Sequence, residues 1–140
     1  MIHLATVAGG LITHCVPLGA TVSAGEALVH VEPAQGPPET ITAPLAGIVE
    51  HQRLKGEVAP AFARVVGLTR AVLAPADGRL TWIATLGPVG PTTLVALLDT
   101  GEAVLPLRAG GPGFVGRPFA RLGAKVTRGA ALLELRGDEL

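Results

Sequence analysis

Gly19-Ala20-Thr21-Val22-Ser23-Ala24-Gly25-Glu26-Ala27-Leu28-Val29-His30-Val31-Glu32 returns without a gap as Gly123-Ala124-Lys125-Val126-Thr127-Arg128-Gly129-Ala130-Ala131-Leu132-Leu133-Glu134-Leu135-Arg136. Six of the fourteen positions are identical, and the last five run apolar, apolar, polar, apolar, polar in both. Two glycines flank one valine that should be buried, and the closing alternation has the period of a half-buried strand. A weaker third copy starts at Gly56-Glu57-Val58 and continues into Phe62-Ala63-Arg64-Val65-Val66. Repetition at this spacing is a statement about architecture, and it comes before any reading of single residues.

A second element recurs as Ala43-Pro44-Leu45-Ala46-Gly47-Ile48-Val49 and Ala74-Pro75-Ala76-Asp77-Gly78-Arg79-Leu80. Proline presets φ for a turn, and the glycine three residues later permits a backbone that other residues resist. Thr93–Leu98, the turn Asp99-Thr100-Gly101 and Glu102–Leu107 read as a hairpin, with Pro106 placing the second arm on a sheet edge. Nineteen Gly and twelve Pro are spread along the 140 residues, so almost every ten-residue window carries a helix breaker. Each costs about 1 kcal/mol for Gly and ~3 for Pro in a helix interior. Only Glu50-His51-Gln52-Arg53-Leu54-Lys55 has the composition for a single helical turn. The chain is expected to be all-β, with short strands.

Composition narrows the function. Eleven basic and eleven acidic residues give no net charge, and three Phe and one Trp supply little to stack on bases, so nucleic acid is not an expected partner. The long charge-free stretch Leu80–Leu98 is broken by Gly87, Pro88, Gly90 and Pro91 and is no membrane span. Met1-Ile2-His3-Leu4 lacks the basic start and apolar core of a signal peptide, so the expected address is cytoplasmic by default. The single Cys15 excludes an internal disulfide.

The Ala-Pro-x-x-Gly element together with the Gly-x-x-Val-x-x-Gly-x-x-Leu element resembles the biotinyl and lipoyl carrier domains. The resemblance implies a barrel-sandwich hybrid, two small sheets related by a pseudo-two-fold axis, over residues 1–70. Residues 71–140 are similar to a second copy, tandem or fused with the first. Their order is nearer that of glucose-type IIA phosphotransferase domains and lysostaphin-type metallopeptidases. Each family's chemistry can be sought at its place. Carriers present a lysine at the hairpin before Ala-Pro; here that hairpin reads Pro33-Ala34-Gln35-Gly36-Pro37-Pro38-Glu39-Thr40, and the only lysines are Lys55 and Lys125. Neither biotin nor lipoate is expected, and no other cofactor. IIA domains and the peptidases need histidines around the central hairpin, yet no histidine follows His51.

The remaining polar residues suggest structure more than chemistry. His3, His14, His30 and His51 read as rim or edge-strand residues. A metal site would have to draw His30 and His51 from paired strands, without supporting Cys or carboxylate spacing. His14 and Cys15, being adjacent, face opposite ways on a strand, and Cys15 reads as a small buried hydrophobe. Asp77 before Gly78 and Asp99 two residues before Gly101 read as turn formers bonding their own backbone. Gly110-Gly111-Pro112-Gly113 reads as a loop, because no helix follows to bind a phosphate. Arg136-Gly137-Asp138 and the terminal Gly137-Asp138-Glu139-Leu140 are short enough to be chance matches to adhesion and retention signals. The expectation is a non-enzymatic protein-binding or scaffold module with no catalytic or metal residues. The surfaces expected to meet a protein partner are the hairpin with Gln35, Gly36 and Glu39, and a basic run of Arg108, Arg117, Arg121, Lys125 and Arg128. A divergent IIA-like phosphotransfer protein in sugar uptake is the alternative.

Overall fold

Hydrogen bonding, more than side-chain identity, reveals how often the local unit occurs. The structure, a computed structural model, describes residues 1–137. In it Glu26 N donates to Ser23 O, Ala63 N to Pro60 O, Thr93 N to Gly90 O and Ala130 N to Thr127 O, all at 3.0–3.1 Å. The same bond also closes turns at Ala20, Glu57 and Ala124, but these four recur once in each copy of the unit, one of them unannounced by the sequence. A buried small residue precedes each: Thr6, Ala43, Ala74 and Ala109. Each of these donates a backbone hydrogen bond to the segment around one of the four turns; Ala43 N reaches Glu26 O, Ala74 N Ala130 O, Ala109 N Thr93 O and Thr6 N Ala63 O, at 2.8–3.0 Å.

The strands are β1 (Ile2–Ala5), β2 (Gly10–Cys15), β3 (Thr21–Val22), β4 (Ala27–Glu32), β5 (Glu39–Thr42), β6 (Gly47–Gln52), β7 (Val58–Ala59), β8 (Arg64–Leu73), β9 (Gly78–Ile83), β10 (Gly87–Val89), β11 (Leu94–Asp99), β12 (Val104–Arg108), β13 (Gly113–Pro118), β14 (Lys125–Val126) and β15 (Ala131–Arg136). No helix occurs among the described residues, and no sheet closes into a barrel. The chain divides into two compact units, Met1–Thr69 and Arg70–Leu140. β8 crosses that division, serving the first unit up to Thr69 and the second from Arg70.

Within the first unit the strands lie in the orders β5-β4-β2-β7 and β1-β8-β6-β3. The short strands are exchanged: β3 pairs with β6 (Thr21↔Ile48, Val22↔Gly47), and β7 pairs with β2 (Val58↔Leu11, Ala59↔Gly10). In the second unit β14 pairs with β9 and β10 with β13 in the same reciprocal way. The orders there are β12-β11-β9-β14 and β10-β13-β15-β8. Gly10, Gly47, Gly78 and Gly113 open β2, β6, β9 and β13 at equivalent places. A methyl group on any of them would collide with a backbone carbonyl, of Glu32, Thr69, Asp99 and Arg136 respectively. Side-chain-free backbone is what lets each pair of segments close on itself.

Each unit has its own core. The first buries Ile12, Val22, Leu28, Val29, Val31 and Val49 among others, and the second buries Leu80, Val95, Leu98, Leu132, Leu133 and Leu135. Each such side chain contributes about 1.5–3 kcal/mol by leaving water. β12 stands at the end of its order, so Pro106 is on an edge, where its missing N–H deprives no neighbour.

Two local expectations are corrected. Glu50–Lys55 forms no helical turn: Glu50, His51 and Gln52 finish β6, and Arg53 N donates to Val65 O at 2.9 Å. Sheet pairing and the burial of Val49 override a weak helical composition. In the copy around Gly56, Val58 is not the buried residue; it is 70 % exposed, and Ala59 takes the inner place.

Candidate functional site

The outer faces of the sheets carry the chemistry, at one recurring cross-strand position. On β2 and β4 it holds His14 opposite His30. On β6 and β8 it holds His51 beside Gly67, where a Cβ would stand 3.1 Å from the Cβ of His51. On β9 and β11 it holds Trp82 opposite Leu97. On β13 and β15 it holds Arg117 and Glu134, joined at 2.8 and 3.0 Å to Glu134 Oε2. One backbone frame thus presents four different pairs.

Glu134 is the buried charge of this set, 4 % exposed. Arg136 Nε donates to its Oε1 at 2.7 Å, and Arg117 lies 5.4 Å from the Phe119 ring centroid. Burial, the largest influence, pushes the Glu134 carboxyl up, but the two guanidiniums together bring it below its ordinary value. An open depression of about 780 Å³ lies beside these arginines, lined also by Ile83, Ala84 and Leu86.

Glu39 faces inward. Its Oε1 accepts from the Thr6 hydroxyl at 2.5 Å, and both oxygens accept from Val7 N at 3.0–3.1 Å. The Thr6 hydroxyl, with the Val7 and Ala8 amides, holds the carboxyl below its ordinary value against the opposing effect of burial. Thr6 is the one polar member of the set Thr6, Ala43, Ala74 and Ala109, and Glu39 satisfies its hydroxyl. Glu39 is therefore a clasp, not a freely offered surface group. Gln35 and Gly36 do stand exposed at the tip of the β4–β5 connection, with open space around Gly36 at φ 97°.

The basic run does not form one face. Arg108 on β12 and Lys125 on β14 occupy opposite edges of the same four-stranded order, about 14 Å apart at ordinary strand spacing. Arg108 Nη1 donates to Thr92 O at 2.7 Å, while Arg117 is committed to Glu134 in the other sheet. Arg121 and Arg128 lie in the turns on either side of β14. Lys125 joins Arg79, Asp77 and Asp99 in an open depression of about 490 Å³. Asp99 behaves as a turn former, accepting from Gly101 N at 2.8 Å; Asp77 instead reaches across the chain to Arg128 N at 2.7 Å. The Gly110–Gly113 loop is held by Arg70, which donates to Ala109 O and Pro112 O at 2.9 and 3.0 Å. Cys15 is half-buried and packs against the first core.

The histidines pair, but not as the sequence suggested. His30 and His51 lie in separate sheets; His14 and His30 have ring centroids 5.3 Å apart, and His3 and His51 6.3 Å. No group of three or more metal-ligating side chains occurs among the described residues.

Sequence reasoning missed an apolar surface in the first unit. Leu11 and Val58, register partners on β2 and β7, are 42 % and 70 % exposed, and Phe62 in the following turn is 75 % exposed. Phe62 has φ 62°, the only left-handed backbone at a non-glycine residue among those described. The equivalent turn residues Gly25 and Gly129 have φ 86° and 88°. Alignment with the glycine-containing copies carried the signal. The tripeptide adhesion match and the terminal retention match extend into 138–140, outside the described residues. No helix among the described residues is long and apolar enough to cross a membrane. No family profile, curated protein or solved structure matches the chain.

Proposed function

We propose that the chain is a tandem pair of barrel-sandwich hybrids, each made from two copies of one β unit, and that it works as a cofactor-free protein-binding module. The reciprocal exchange of β3 with β7, and of β10 with β14, supports the pseudo-two-fold architecture within each unit. The carrier-like hairpin of the first unit offers Gln35 and Gly36 in place of an acylatable lysine.

The observation that carries the binding reading is Phe62. A left-handed backbone costs a residue with a Cβ about 1–2 kcal/mol. At 75 % exposure Phe62 recovers little of that by burial. Strain of this kind clusters at ligand clamps and other functional sites. With Leu11 and Val58 nearby on β2 and β7, Phe62 supplies an aromatic anchor of the kind that dominates protein interfaces. Gln35, Gly36, Arg121, Lys125 and Arg128 remain proposed secondary contacts.

A photo-crosslinking amino acid placed in turn at positions 62, 35 and 121 tests this in the native host. The reading expects one reproducible protein adduct from position 62, absent when Val58→Asp is added. Adducts from none of the three positions would sink it.

A further inference from the structure

All four histidines stand on outer sheet faces of the first unit, in two pairs that share one corresponding place. His14 on β2 is matched by His51 on β6, each eight residues beyond Thr6 or Ala43; His3 on β1 is matched by Thr40 on β5, each three residues before them. The rows are therefore His14, His30, Thr40 across β2, β4 and β5, and His51, Gly67, His3 across β6, β8 and β1. His30 fills the central place in the first row; in the second that place is Gly67, and Met1 Sδ lies over it, 2.8 Å from where a Cβ would stand.

Geometry separates the two pairs. A divalent zinc ion bound 2.0–2.1 Å from a ring nitrogen lies about 3.2 Å from that ring's centroid. Rings 5.3 Å apart then subtend about 110° at the ion, the tetrahedral angle that zinc prefers. Rings 6.3 Å apart subtend about 160°, which that geometry rejects. The planes of His14 and His30 are tilted 44° to each other, so the rings are not stacked face to face.

Thr40 supplies the outer support. Its hydroxyl lies 3.0 Å from His30 Nδ1. In the tautomer in which Nδ1–H donates to that hydroxyl, Nε2 carries the free lone pair, and the ring is held at a fixed angle on the sheet. Metal-binding histidines almost always have such a partner on their second nitrogen. The row places acceptor, ligand and ligand on three successive strands.

We propose that His14 and His30 form a two-histidine binding site for one zinc ion, through Nε2 of His30 and a ring nitrogen of His14, with Thr40 orienting His30. Water or a side chain from a binding partner completes the four-coordinate shell. The inference stands apart from the protein-binding reading, because it rests on unit-internal geometry and not on Phe62.

Calorimetric titration of untagged, metal-free full-length protein with zinc chloride at pH 7.5 tests it. Zinc is the probe because the angle the two rings subtend matches its preferred tetrahedral geometry. The expected result is one zinc per chain, weakened at least tenfold in His14→Gln and in His30→Gln. Thr40→Val should weaken it about tenfold. His3→Gln and His51→Gln should leave the affinity unchanged. Melting of each metal-free variant by circular dichroism verifies the fold; His14 is exposed, so its replacement leaves the core intact. Absence of a saturable one-to-one isotherm, or equal loss in His51→Gln, overturns the proposal.

Discussion

Phe62 stands in its turn where Gly25 stands in the neighbouring copy, both with left-handed backbone, φ 62° and 86°. The flanking hydrogen bonds are the same, Ala63 N to Pro60 O and Glu26 N to Ser23 O, each at 3.1 Å. Replacing Phe62 with glycine removes the Cβ conflict while sacrificing a side chain that is mostly in water. Phe62→Gly should therefore stabilise the protein by about 1 kcal/mol and raise the Tm by ~4 °C, as read by thermal melting.

Gly47 opens β6 directly against the Thr69 carbonyl. A methyl group there has backbone, not a flexible side chain, in its way. Gly47→Ala should cost about 3 kcal/mol or more in a urea titration. Gly19→Ala, in open space at φ 86°, should cost only about 1 kcal/mol from its backbone conformation.

Thr6 and Glu39 should behave as one unit. Thr6→Ala imitates the alanine at the other three places but leaves the Glu39 carboxylate without its shortest partner. A double-mutant cycle with Glu39→Gln should give a coupling of about 1 kcal/mol. Additive losses would show that the clasp carries no energy of its own.

Glu39 and Glu134 both have carboxyl values held below the ordinary 4.5. A carboxyl lowered by folding contributes stability that is fully present above its unfolded value and is lost as pH falls through the folded value. Stability should therefore be flat near neutrality and decline below about pH 4.5. Glu134→Gln should lose about 1 kcal/mol at pH 7 and show a shallower acid decline, measured by urea midpoints at pH 7 and pH 3.5.

Much of the local grammar was legible because it depends on neighbours in sequence. The alternation from Ala27 to Glu32 and from Ala131 to Arg136 marked strands, and the run 93–107 with its Asp99-Thr100-Gly101 turn marked the β11–β12 hairpin. Pro106 announced its own edge. The fourth turn was hidden because Gly90-Pro91-Thr92-Thr93 lacks the glycine pattern of its relatives; the Thr93 hydroxyl accepts from Gly90 N at 2.8 Å instead. Phe62 weakened the third by standing where its relatives at 25 and 129 carry glycine.

The sequence by itself determined an all-β chain of short strands, since glycine and proline spacing excludes long helices and period-two alternation needs no tertiary information. It did not determine which side chains meet. The irregularity between Ile12 and His14 sets the register that brings His14 opposite His30. The inward turn of Glu39 follows from Thr6, thirty-three residues away, needing an acceptor. Such encounters depend on bulges and long-range pairing, where a shift of one residue moves every side chain to the opposite face. Only the folded sheets settle that register, and with it the chemistry their outer faces present.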